Sequence, residues 1–162
     1  MEMRNKLLER IESTVEQFIN DWKKSPFLWD TEMDIHVELA SRLKTVLREF
    51  CLLQQRVFYK GYGHIDVSLL SFGYPVEFDE KKKESSYCHP YIQILKPAKD
   101  PQNPPDHIEG INWPRLWICE IKYKTEIGGD QHKKNREGDI GKLKRLVKEN
   151  GGPADYCYIL HL

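Results

Sequence analysis

The run Leu116-Trp117-Ile118-Cys119-Glu120-Ile121-Lys122-Tyr123 constrains the fold of this chain more than any other segment. Its length and apolar content suit an interior β-strand, and in a strand successive side chains point to opposite faces. Glu120 and Lys122 therefore share one face, with Ile121 on the other. Charged groups rarely leave water unless they pair or bind a metal, because isolated burial costs on the order of several kcal/mol. Two charges on such a strand need partners. The same spacing recurs in Glu80-Lys81-Lys82 and, with aspartate, in Asp21-Trp22-Lys23. The first sits in the charge run Asp79 to Glu84, which reads as a solvated turn, and the second ends an amphipathic helix. Only the copy at 120 lies in an apolar strand.

The rest of the chain alternates between helical and strand patterning. Leu7, Leu8, Ile11, Val15, Phe18, Ile19 and Trp22 recur at helical spacing over residues 4 to 24, and Ser25-Pro26 ends the run. After an aromatic loop, residues 31 to 53 predict a second helix with Ile35, Leu39, Leu43, Val46, Leu47 and Phe50 on its apolar face. Glu38 flanks that face four residues before Arg42, the spacing of a surface ion pair. Residues 56 to 60 predict a short strand, Gly61-Tyr62-Gly63 a turn, and His64 to Leu70 a second strand with Asp66, His64 and Ser68 on one face. Residues 74 to 78 and 87 to 95 predict a hairpin around the charged turn. A proline-rich loop from Lys96 to Arg115 then leads into the strand of Glu120, a candidate contact for substrate or partner. A helix from about Asp139 to Asn150, stopped by Gly151-Gly152-Pro153, precedes a last strand over Asp155 to Leu162.

A chain of 162 residues, 40% hydrophobic and 31% charged, suits one globular domain, with residues 1–30 as N-terminal helix and aromatic loop and 31–162 as core. Cys51, Cys88, Cys119 and Cys157 include no Cys-x-x-Cys pair, which fits reduced thiols better than disulfides or a zinc knuckle. No apolar stretch reaches the roughly 18 residues of a membrane span, so no membrane partner and a cytoplasmic location are expected. His36, His64, His89 and His132 have no ligand-like mutual spacing. Net charge is zero, but it is unevenly spread: residues 1 to 40 hold five basic against nine acidic residues, whereas 122 to 148 hold nine against four. That basic stretch, a solvated helix face on the bland account, is also suited to a phosphate backbone.

Taken in order, Glu38 on a helix, Asp66 on the second strand, Glu120-x-Lys122 on the third, and Asp139-Ile140-Gly141-Lys142-Leu143 opening the next helix resemble the PD-(D/E)XK, or restriction-endonuclease-like, nucleases. His64-Ile65 stands before the aspartate where the family name has a proline, and an insertion separates Asp66 from Glu120. The resemblance covers most of residues 31 to 162. It implies an α/β fold with an α-β-β-β-α-β core and mixed sheet, to which this chain adds the N-terminal helix, the inserted hairpin and the proline-rich loop.

The resemblance further implies magnesium-dependent hydrolysis of DNA, of restriction, repair or resolvase type, with manganese as a substitute ion and RNA left open as substrate. Asp66, Glu120 and the carbonyl of Ile121 would bind the metal, Glu38 a second metal or a metal-bound water, and Lys122 would assist the attacking water. Lys124, Lys133, Lys134 and Lys142 would contact phosphates. Small resolvases of this superfamily are dimers, which makes a homodimer an expectation. The competing expectation is a regulatory domain on the same fold that binds nucleic acid or protein without chemistry.

Overall fold

The computed structural model describes residues 2–26, 28, 31–72, 76–77, 87–88, 92–105, 113–122, 140–141, 144, 147 and 154–162, with backbone alone at Glu32, Val76, Glu77, Tyr87, Cys88, Lys122 and His161. Helix α1 spans Glu2–Lys24 and α2 spans Glu32–Glu49. Both form for the reason their spacing predicts: Leu7, Leu8, Ile11, Val15 and Phe18 of α1 meet Ile35, Leu39, Leu43, Val46 and Leu47 of α2 in one core. Thr31 caps α2 reciprocally, its side chain accepting from the Asp34 amide while the Asp34 carboxylate accepts from the Thr31 amide.

Among the described residues the strands that follow are β1 Gln54–Tyr59, β2 Gly63–Ser68, β3 Leu70–Ser71, β4 Val76–Glu77, β5 Tyr87–Cys88, β6 Ile92–Leu95, β7 Arg115–Lys122 and β8 Ala154–His161. The main sheet has the order β3-β6-β7-β8, antiparallel at the first two junctions and parallel between β7 and β8. The fold is therefore mixed α/β, as expected. From Trp117 onward β7 alternates cleanly. Trp117, Cys119 and Ile121 join the core under α1 and α2, and Ile118 and Glu120 point to the other side.

The strand flanking Glu120 differs from expectation. β1 and β2 were expected as the first two core strands, but they pair with each other as a separate two-stranded ribbon, and β6 takes the place beside β7. Side-chain patterning explains the exchange. All four residues of β6 are buried, which suits a strand covered on both faces, whereas β2 leaves His64, Ile65, Asp66 and Ser68 exposed. The inserted segment thus contributes β4 and β5, paired as the expected hairpin, and also a strand of the sheet.

A register shift between Ile94 and Leu95 sets Leu95 opposite Arg115. This bulge turns Arg115 onto the side of Gln93, whose side-chain oxygen accepts from its Nε at 3.1 Å. A smaller core lies there: Val57, Val67, Leu69, Leu95, Ala98 and Trp113. The described part of the proline-rich loop is bound into this second core. The Trp113 indole donates to the Lys96 carbonyl, Gln55 exchanges two hydrogen bonds with the Ala98 backbone, and the Phe58 amide donates to the Pro101 carbonyl. Of the expected helix after Asp139, Ile140, Gly141 and Lys144 are helical and Val147 bridges Ala154; the remainder lies outside the described residues. Among the described residues no helix is long and apolar enough to cross a membrane.

Candidate functional site

Glu120 sits on the strand where the antiparallel and parallel halves of the sheet meet. It is 7% exposed, with Oε2 out of contact with solvent, and its ladder partner in β8 is Ile159. A carboxylate in such a position is costly unless its charge is compensated, which is what the isolated tripeptide could only suggest. Two steps along, Lys122 pairs by its backbone with His161 in the β7–β8 ladder. Ile121 buries its side chain in the core beneath the helices.

Asp66 lies elsewhere. Leu70 and Trp117 occupy one level of the sheet, both being partners of Ile94; Asp66 lies four residues before that level and Glu120 three beyond it. The chain bends at Leu69 between β2 and β3, so Asp66 belongs to the β1–β2 ribbon and has no ladder to the sheet that holds Glu120. Asp66 is exposed and stands across from Arg56 in the β1–β2 ladder. Opposite charges at that cross-strand position stabilise the ribbon modestly.

Glu38 is on the helix side of the sheet, away from the face of Glu120. Its Oε1 accepts from Arg42 Nε at 2.7 Å, and Arg42 Nη1 donates to Asp21 at 2.7 Å, joining α2 to α1. Burial alone would lower the Arg42 pKa, but the hydrogen bonds it donates to Asp21 and Glu38 and the charges of those carboxylates leave it raised. The ion pair foreseen from the Glu38–Arg42 spacing is present, and Asp21 of the Asp21-Trp22-Lys23 spacing belongs to the same network.

The four candidate ligands therefore fall into three places: Asp66 on the ribbon, Glu38 between the helices, and Glu120 with Ile121 on β7. No group of three or more His, Cys, Asp or Glu among the described residues is arranged to hold a metal ion. Lys124, Lys133, Lys134, Lys142 and Asp139 lie outside the described residues, as do His89 and His132. Of the other histidines, His36 is buried in α2, and exposed His64 makes an edge contact with Phe58 at 5.3 Å between ring centres.

Other ionisable groups, buried wholly or in part, also flank the sheet. The Asp155 side chain is 4% exposed and is gripped by Arg4 at 2.6 Å and Lys96 at 2.7 Å. Burial lowers the Arg115 guanidinium to about 10, which still leaves it charged at neutral pH. Burial, followed by the charges of Glu120 and Cys157, pushes the Cys119 thiol upward, and burial together with a hydrogen bond to Glu12 does the same for Tyr158. As expected, Cys51, Cys119 and Cys157 are not in disulfides. Comparisons with family models, characterised proteins and solved structures found no match to this chain.

Proposed function

We propose that the chain is a magnesium-dependent phosphodiesterase acting on DNA, built on a restriction-endonuclease-like core and centred on the carboxyl end of β7. The observation that carries this reading is Glu120 itself, a carboxylate 7% exposed on the strand between an antiparallel and a parallel neighbour. In open α/β sheets, ligand crevices form at the carboxyl ends of strands where the connectivity changes direction. The order α2, β3, β6, β7, β8 in one mixed sheet is compatible with the core that the nuclease resemblance implies, provided that β3 and β6 stand where β1 and β2 were expected.

Magnesium takes oxygen ligands and can be held by one or two carboxylates together with waters and substrate phosphates. The Glu120 carboxylate and the Ile121 carbonyl would be its protein ligands. Asp66 and Glu38 do not fit the same shell, given their positions on the ribbon and between the helices. The ion, when bound, would neutralise charge at the scissile phosphate and acidify a bound water. Lys122 would orient that water or stabilise the charge that builds on the phosphorus.

The test is cleavage of plasmid and single-stranded oligonucleotides in magnesium, manganese or EDTA by the wild type and by Glu120→Gln. Metal-dependent cleavage lost in the variant is the expected result. Cleavage equal in both proteins sinks the proposal. The separation of Asp66, Glu38 and Glu120 favours a second reading, a domain that binds nucleic acid or protein without hydrolysing anything. On that reading, a magnesium titration by calorimetry detects no site and no cleavage occurs under any condition.

A further inference from the structure

The solvent face of the β1–β2 ribbon has no role in the site at Glu120. Its ladder pairs Arg56 with Asp66 and Phe58 with His64, all four exposed, while Val57 and Val67 of the opposite face are buried in the second core. The ribbon ends in a tight turn closed by a hydrogen bond from the Tyr62 amide to the Tyr59 carbonyl. Gly61, third in that turn with φ of +96°, supplies the left-handed conformation that a type II turn requires. This geometry raises Tyr62 at the tip with 72% of its surface in water and places Lys60 beside it.

The ribbon is also held rigidly. The Tyr59 hydroxyl donates to the Pro105 carbonyl at 2.8 Å, the Phe58 amide to the Pro101 carbonyl, and Gln55 exchanges hydrogen bonds with Ala98. Fixed exposed aromatics flanked by cations match what unpaired nucleotides require, since bases stack on side-chain rings while the backbone tracks positive charge. Of the charged residues from Gln54 to Ser68, Arg56 and Lys60 are basic and Asp66 alone is acidic, a balance that suits phosphate better than an acidic protein surface.

We infer that the tip and solvent face of this ribbon dock single-stranded nucleic acid, Tyr62 and Phe58 stacking on bases and Arg56 and Lys60 contacting phosphates. The inference concerns binding only, and it holds whether or not Glu120 supports hydrolysis.

Fluorescence anisotropy with a labelled oligothymidine in EDTA tests it, using the full chain and variants checked for folding by circular dichroism. Tyr62→Ala weakens binding roughly five- to a hundredfold, as loss of one stacked base does, while Tyr62→Phe retains it. Arg56→Gln with Lys60→Gln flattens the logarithmic salt dependence by about 1.4, the single-strand value for two phosphate contacts. Asp66→Asn tightens binding about two- to threefold by removing a charge that repels phosphate. Wild-type protein that does not bind the oligonucleotide, binding unchanged in Tyr62→Ala, or a stronger preference for duplex overturns the inference. So does capture of a protein partner through Tyr62 with no oligonucleotide binding. Loss of cleavage in Glu120→Gln with oligonucleotide binding intact leaves it standing.

Discussion

Asp66 and Glu120 lie on different sheets, Asp66 opposite Arg56 in the β1–β2 ribbon and Glu120 opposite Ile159 in the main sheet. A shared ion would need both carboxylates within about 5 Å of each other, given oxygen-to-metal distances near 2.1 Å. Asp66→Asn should therefore leave metal-dependent cleavage within about threefold of wild type, whereas Glu120→Gln should lower it by at least about a hundredfold. Initial rates on one labelled duplex in magnesium measure both. Equal losses would mean that Asp66 reaches the site and that β2 must lie beside β7 in the active protein.

Glu38 makes its ion pair with Arg42, and Arg42 keeps Asp21 as a second partner when Glu38 is neutralised. Because all three side chains are partly exposed, Glu38→Gln should cost no more than about 0.5 kcal/mol and leave any cleavage rate unchanged. Urea denaturation and the same cleavage assay read the two effects. A rate reduced tenfold without loss of stability would return Glu38 to the site.

The two helices are legible in the sequence because their apolar spacing matches the helical period over many turns, and the Glu38–Arg42 pair is legible because it is local. The strand beside β7 is not. Ile92 to Leu95 follows a charged insertion and carries the polar Gln93 between Ile92 and Ile94, so it fits the half-exposed far arm of a hairpin as well as a sheet strand covered on both faces. Asp66 lies in an alternating stretch that satisfies any half-exposed strand, a sheet member or a ribbon alike. Strand partners are long-range facts, and the candidate site depended on them.

At the end of α2, Cys51 adopts φ of +55°, with its amide bonded to the Arg48 carbonyl and the Leu52 amide bonded to the Leu47 carbonyl. These two bonds define a Schellman stop, whose left-handed position favours glycine. Cys51→Gly should raise stability by about 0.5–1 kcal/mol, because relief of the left-handed strain exceeds the entropy that glycine adds to the unfolded chain. In a chain of this length that corresponds to a Tm higher by about 1–4 °C. Thermal unfolding followed by circular dichroism checks it, and an unchanged or lower Tm refutes the account of the cap.

Cys119 and Cys51 should differ sharply in reactivity. Cys119 is fully buried and its thiol is held above the ordinary range, first by burial and then by the Glu120 charge, whereas Cys51 is exposed. The thiolate is the reactive form, so alkylation at pH 8 should modify Cys51 within minutes and Cys119 only through unfolding. Raising the pH from 7 to 9 should leave Cys119 protected, because burial keeps the folded thiol protonated throughout that window. Peptide-resolved mass spectrometry reads each site. Rapid native-state labelling at Cys119 would show that the core under α2 opens readily.

Asp155 binds Arg4 at the start of α1 and Lys96 just after β6, so one buried carboxylate at the start of β8 ties together three segments distant in sequence. Asparagine at this position keeps the shape but removes the charge that compensates two cations. Lys96 and Arg4 retain 30% and 51% side-chain exposure, so water can partly replace the lost partner. The cost should therefore fall below that of breaking a fully buried pair, at about 1–3 kcal/mol for Asp155→Asn. Arg4→Gln, at the exposed end, should cost about 0.5–1 kcal/mol, and the double variant should lose less than the sum because both changes remove one interaction. Urea midpoints for the three proteins decide it. A loss under 0.5 kcal/mol for Asp155→Asn would mean that the clasp adds little to what β7 and β8 already secure through their ladder.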